Sequence, residues 1–135
     1  MPETPAAVTD THPLLFHAAG TGKLGKAAKA HFDACERREA MIYVPMVVIW
    51  ECALLAGAAR INLRRSVRAF FDDLFSNPAY QPYDLTLPQV LDADETRINR
   101  DPFDCLVCAA ARDLGLPLLT RDGDIRSAAS VRVIW

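Results

Sequence analysis

Apolar and polar positions along this chain alternate between two rhythms, short apolar runs and longer stretches with helical spacing. Ala6 to Asp10 is a short apolar run ending in an acid, and Thr11-His12-Pro13 then opens a helix with proline in its first turn. Gly20, Gly22 and Gly25 loosen the next stretch, after which Lys26 to Arg38 sets Ala27, Ala30, Phe32 and Ala34 among charges and predicts a second helix. Met41-Ile42-Tyr43-Val44 is β-prone. Pro45 then opens an apolar segment, running through Ala59, that is too long for a strand and reads as a buried helix. Arg64 to Phe75 carries Val67, Phe70, Phe71 and Leu74 at helical spacing, with Asn77-Pro78 as its stop. Tyr80 to Leu85 reads as a further strand.

Leu87 to Ile98 is mixed and acidic and predicts a helix of modest length. Asp101-Pro102 is an N-cap with proline at the first helical position, and Phe103 to Leu114 continues helically to Gly115 as the stop. Leu116 to Thr120 predicts a strand, Arg121 to Asp124 a polar turn, Ile125 to Ala129 a short helix and Val131 to Ile134 a terminal strand. Strands that are apolar throughout and alternate with helices imply an α/β fold of three layers, α/β/α, around a central, mostly parallel sheet. A single domain over residues 1–135 is expected, with no internal repeat or low-complexity segment.

Composition narrows the class. Half the chain is apolar, yet no apolar stretch long enough to span a bilayer is free of charge, and the start lacks the basic region of a leader, so a cytoplasmic protein with no membrane association is expected. Cys35, Cys52, Cys105 and Cys108 sit in apolar or helical segments and read as buried hydrophobes of a reducing compartment. Cys105 and Cys108 form a C-x-x-C, but it lies within a helix, with no second ligand pair, so packing is preferred to zinc. A net charge of −2 with a pI near 5.9 lacks the basic excess usual in nucleic-acid binders. Positive charge is nevertheless clustered, with Lys23, Lys26 and Lys29 in one segment and Arg60, Arg64, Arg65 and Arg68 in another. Each cluster is either a phosphate grip or a solvated helix face.

The candidate chemistry lies in isolated acids. Asp10 is the only formally charged residue between Glu3 and Lys23, and Glu51 the only one between Glu39 and Arg60. A carboxylate carried into apolar surroundings costs several kcal/mol unless paired, hydrogen-bonded, neutralised or bound to metal. Asp10 could be only a helix cap, and Glu51 only the partner of an arginine such as Arg60 or Arg112. Asp122 emerges at the carboxyl end of a parallel strand, as Asp10 does, which is where open α/β sheets place their sites, although Asp122 and Asp124 also suit a plain polar turn. In Asp101-Pro102-Phe103-Asp104 the first acid is the better cap and the second, facing inward, the better ligand. Four such acids in one place would repel one another and partly protonate unless a cation joined them, and all-oxygen ligation points to Mg²⁺ or Mn²⁺. The implied reaction is phosphodiester hydrolysis.

Thr9-Asp10-Thr11-His12-Pro13-Leu14-Leu15-Phe16, Val48-Ile49-Trp50-Glu51-Cys52-Ala53, Asp101-Pro102-Phe103-Asp104 with Ala109-Ala110-Ala111, and Leu118-Leu119-Thr120-Arg121-Asp122 together resemble the PIN-domain family in order and spacing. The likeness spans nearly the whole chain and is most specific from Asp101 to Asp122. It implies that Asp10, Glu51, Asp104 and Asp122 form an acidic, catalytic metal-binding quartet, that Asp124 adds an occasional ligand, and that Thr120 and Asp101 are accessory. It also implies a VapC-like toxin that cuts RNA, forms a homodimer and is silenced by a cognate antitoxin. Cys105 departs from the arginine common after the helix acid, and the segment before Val8 is longer than in the shortest members.

Two other classes compete with this reading. An aspartate-based phosphotransferase or receiver needs a lysine late in the chain, and none follows Lys29. A catalytically inactive PIN-like binding module would keep the fold, but has no physical reason to retain four mutually repelling carboxylates. His12, His17 and His31 suit packing or surface roles, and Trp50, Trp135, Phe70 and Phe71 suit core or interface packing before base stacking.

Overall fold

The computed structural model describes residues 4–128 and 130–135. Five strands, β1 (Ala6–Thr9), β2 (Met41–Pro45), β3 (Tyr80–Tyr83), β4 (Leu118–Leu119) and β5 (Val133–Ile134), form one sheet in the order β3-β2-β1-β4-β5. Every pairing is parallel. Adjacent strand residues point to opposite faces, so the complete burial of both Ala7 and Val8, and of both Leu118 and Leu119, requires helices on both sides. The α/β class and the parallel sheet are those the sequence predicts.

Seven helices carry the crossovers: α1 (Thr11–Ala19), α2 (Lys26–Glu36), α3 (Met46–Gly57), α4 (Val67–Leu74), α5 (Leu87–Glu95), α6 (Pro102–Leu114) and α7 (Gly123–Ala128). Several are shorter than the apolar spacing suggests. The second stops at Glu36 because Arg38 takes a left-handed φ of 62°. The fourth starts at Val67 rather than Arg64, since Arg64 is itself left-handed and Ser66 supplies the cap by accepting the Ala69 N–H at 3.0 Å. The fifth, capped by Thr86, ends at Glu95 rather than Ile98. The expected turn at 121–124 is instead entered by α7 from Gly123, and Ala129, expected to close that helix, lies outside the described residues. Gly115 ends α6 at φ 65°, as its position predicts.

The core joins Phe32, Leu14, Ile42, Val48, Val107 and Ile125 to the buried strand residues. All four cysteines are buried and unbridged, two of them in α6. Phe70 and Phe71 are core residues, whereas Trp50 remains 59% exposed on α3. Trp135 docks on the start of α2, where its carbonyl accepts the Ala28 N–H at 2.9 Å; any Cβ at position 25 would overlap it, so only glycine fits. Among the described residues no helix is long and apolar enough to cross a membrane.

Candidate active site

Strand order reverses between β1 and β4: the chain winds outward from β1 through β2 to β3, then returns to the other side of β1 for β4. Crossovers on the two sides therefore diverge, and a crevice opens beyond the carboxyl ends of these two strands. Asp10 and Thr120 immediately follow them. The Asp10 N–H bonds to the Leu119 carbonyl at 3.0 Å, which extends the β1–β4 ladder to the lip of the crevice.

Asp10 is a cap, as one sequence reading allowed, and more than a cap. Its Oδ1 accepts the Thr11 N–H at the start of α1, and its Oδ2 accepts the Thr120 hydroxyl, both at 2.8 Å. Thr120 Oγ1 in turn accepts the Asp122 N–H at 3.1 Å, so one hydroxyl links the two acids. Burial pushes the Asp10 carboxyl above its ordinary value, against the lowering effect of these bonds. Glu51 projects from the middle of α3 and is half-buried. Its carboxyl is also pushed up by burial and by the Asp10 charge, opposed by the neighbouring Thr11 hydroxyl. That hydroxyl is buried and makes no hydrogen bond of full geometry. Glu51 takes part in no ion pair among the described residues, so neither Arg60 nor Arg112 neutralises it.

The α6 acids divide their tasks. Asp101 caps the helix, its Oδ1 accepting the Phe103 N–H at 2.8 Å and the Asp104 N–H at 3.4 Å. Asp104, in the first turn, turns inward and its carboxyl is pushed up to about 7, by burial first and by the charges of Asp101, Asp122 and Asp10 after it. Asn99, whose role sequence reasoning missed, opposes that shift: its Nδ2 donates to Asp104 at 2.9 Å and to Asp124 at 3.3 Å. Its Oδ1 accepts the Asp101 N–H at 2.9 Å, the asparagine-turn pattern that Asn99-Arg100-Asp101 could have signalled. Cys105, buried in the next position, directs its thiol to the Asn99 carbonyl at 3.6 Å. Asp122 caps α7 by accepting the Ile125 N–H at 2.9 Å, while Asp124 stays exposed in the first turn of α7.

One cavity of about 350 Å³ gathers Asp10, Glu51, Asp101, Asp104 and Asp122 with His12, Pro13, Thr120 and Arg121. Asp124 stands outside it and reaches the group only through Asn99. The donors are oxygens, as a hard divalent cation prefers, and three of the carboxyls are raised by burial with no paired cation, a deficit that such an ion would relieve. In donor chemistry the residues fit Mg²⁺ or Mn²⁺. As they stand, no three His, Cys, Asp or Glu side chains among the described residues are arranged to hold a metal, so ligation requires the carboxylates to swing toward a shared centre.

Comparison with known proteins places the fold. The PIN domain family model matches residues 7–131. No curated protein matches the chain. Among solved structures, a chain of the VapBC2 complex from Rickettsia felis bound to a DNA fragment from its promoter superposes with a TM-score of 0.68 at 12% identity, covering 95% of this chain and 96% of that one. A chain of DNA-bound VapBC from Salmonella typhimurium gives 0.67 at 14% identity, with 97% of each covered. A toxin–antitoxin complex from Klebsiella pneumoniae gives 0.64 at 17%, with 96% of each covered.

Proposed function

This chain belongs to the PIN domain family, and from that premise we propose that it is a divalent-metal-dependent endoribonuclease, the VapC-like toxin of a type II toxin–antitoxin pair. One observation carries the reading: Asp10, Glu51, Asp104 and Asp122, far apart in sequence, line a single cavity at the reversal of strand order, and no ion pair among the described residues neutralises any of them. A domain gains nothing in stability from gathering unpaired acids, and gains a reaction centre if they share a cation.

These four residues would hold Mg²⁺ or Mn²⁺, with Asp124 as a further donor through rearrangement of Asn99. Bound there, one or two such ions would polarise a phosphodiester and lower the pKa of an attacking water. The chain's own residues orient that centre. Thr120 fixes Asp10 and, through the Asp122 N–H, the turn that follows; Asn99 fixes Asp104; Asp101 spends its carboxylate on capping α6. Structural kinship with chains of toxin–antitoxin complexes supports an antitoxin as protein partner, and the reading takes the protein as cytoplasmic and homodimeric.

The test is cleavage of RNA by purified protein with Mg²⁺ or Mn²⁺, repeated with Asp10→Asn, with Glu51→Gln and in excess chelator. Full activity in either variant, or in chelator, sinks the proposal. A binding-only module is the second reading, because no three ligating side chains stand ready around a metal. Induced expression in bacteria separates the two: a nuclease toxin arrests growth and an inactive binder does not.

A further inference from the structure

Beside the carboxylate cavity lies a second one of about 520 Å³, between α1 and the 58–66 segment that leads into α4. Its walls are apolar, formed by Leu15, Phe16, Ile61, Leu63 and Phe70. Lys23 and Arg64, both exposed, stand among its lining residues, which include no aspartate or glutamate. His12 lines both cavities, so the two are contiguous. Arg121, from the wall of the acidic cavity, lays its guanidinium over the Phe16 ring at 4.8 Å from the centroid, and Lys23 Nζ lies 5.5 Å from the same centroid. Phe16 thus holds one cation from each side of the boundary.

We propose that this second cavity seats the nucleotide adjoining the scissile phosphate of a single-stranded RNA, its base against the apolar walls and its outer phosphate between Lys23 and Arg121. The inference rests on the nuclease reading for the word scissile, and on geometry for the rest. A polyanion cannot approach five acids unaided, so an adjacent cationic rim is needed to bring the strand in, and among the described residues the only cation lining the acidic cavity itself is Arg121, histidine aside. An apolar slot takes a base only when its face is free, which excludes the stacked interior of a duplex and selects an unpaired strand. Asn62 lines the slot as well; its Oδ1 accepts the Arg64 N–H at 2.8 Å, and its Nδ2 has no partner among the described residues, a donor available to a base edge.

Binding is measured by fluorescence anisotropy with a labelled, mixed-sequence decaribonucleotide in Mg²⁺, on full-length protein carrying Asp10→Asn so that affinity is read whether or not the native protein cuts. The double variant Lys23→Gln/Arg121→Gln is expected to flatten the plot of log affinity against log salt by about 0.7, the contribution of one phosphate contact on a single strand, and each single variant by part of that. Ala18→Trp, which fills the slot from an exposed position of α1, is expected to weaken binding about tenfold, the order of one stacked base. A 5-iodouridine decamer should photo-cross-link within residues 12–23 or 61–70. Unchanged salt slopes together with unchanged affinity in Ala18→Trp overturn the proposal and leave the slot to a protein partner. RNA that binds here with no cleavage by native protein keeps the slot and sinks the nuclease reading; cleavage by native protein with Ala18→Trp unaffected sinks the slot alone.

Discussion

Buried charge is handled in two opposite ways in this molecule. On α6, Arg112 is 19% exposed and is met by Asp92 of α5, its Nε donating at 2.9 Å, and by the Ser130 hydroxyl at 3.0 Å. Charge meets countercharge, and the helices are tied together. About two turns earlier on the same helix, Asp104 shares a cavity with Asp10, Glu51 and Asp122, with only neutral hydrogen-bond donors, an asparagine, a threonine and backbone N–H groups, to steady the set. The first arrangement balances its charge without a ligand, although the buried Arg112 Nη2 makes no hydrogen bond among the described residues. The second leaves a charge deficit that a bound cation would relieve.

Substitutions should break this contrast cleanly. Asp10→Asn keeps the cap, since Oδ1 still accepts the Thr11 N–H, but sets an NH2 where the Thr120 hydroxyl was accepted, so that bond must reverse with the amide donating to Thr120 Oγ1. With a ligand charge removed, RNA cleavage should fall by about 100-fold or more, in the range seen when a group stabilising transition-state charge is lost, while the urea midpoint moves less than in the next variant. Loss of folding rather than of activity would count against the proposed role. Arg112→Ala should do the reverse: about 2 kcal/mol of stability lost in urea melts, because Asp92 and Ser130 forfeit their donor and a cavity opens, with cleavage per folded molecule unchanged. Asn99→Ala leaves every carboxylate in place but frees Asp104 from its donor, and roughly tenfold slower cleavage is expected, since one charge-assisted hydrogen bond is worth about 1.5 kcal/mol; Asn99→Asp should be worse, adding a like charge.

The smallest effect is one of pH. The Asp104 carboxyl rises from 3.8 to about 7 on folding, and those of Asp10 and Glu51 rise as well. Between those limits the folded state holds a proton that the unfolded state has released, so stability falls as pH rises from about 4 to about 7 and stays low above. Metal-free protein should therefore melt a few degrees higher at pH 5.5 than at pH 8, the reverse of the usual acid sensitivity, and Asp104→Asn should flatten the trend. Thermal melts in chelator across that range decide it; Mg²⁺ should restore the loss at high pH.

Much of this was legible in residue order. Isolated acids in apolar runs mark Asp10 and Glu51, and the proline-and-cap pattern at Asp101-Pro102 separates a capping acid from an inward one. Local geometry hid the rest. Leu116 to Thr120 reads as one strand, yet β4 begins only at Leu118 because Pro117 has no N–H to give and offers only its carbonyl to Val8. The start of α4 was blurred by Asn62, whose side chain captures the Arg64 N–H and turns the backbone left-handed before any helix can begin. Asn99 escaped notice for a related reason: its importance comes from bridging residues 104 and 124, and nothing in a linear reading distinguishes that asparagine from one in an ordinary turn.

The reversal of strand order has a consequence in time. Asp10 and Glu51 leave the ribosome early, but β4 must slide in beside β1 before Thr120, 110 positions on, can reach Asp10 and bring Asp122 with it. Such distant contacts are the last to repay the entropy of closing the loop. A chain still being translated carries its acids as solitary side chains, and the crevice is assembled only after the messenger that encodes it has been read past β4.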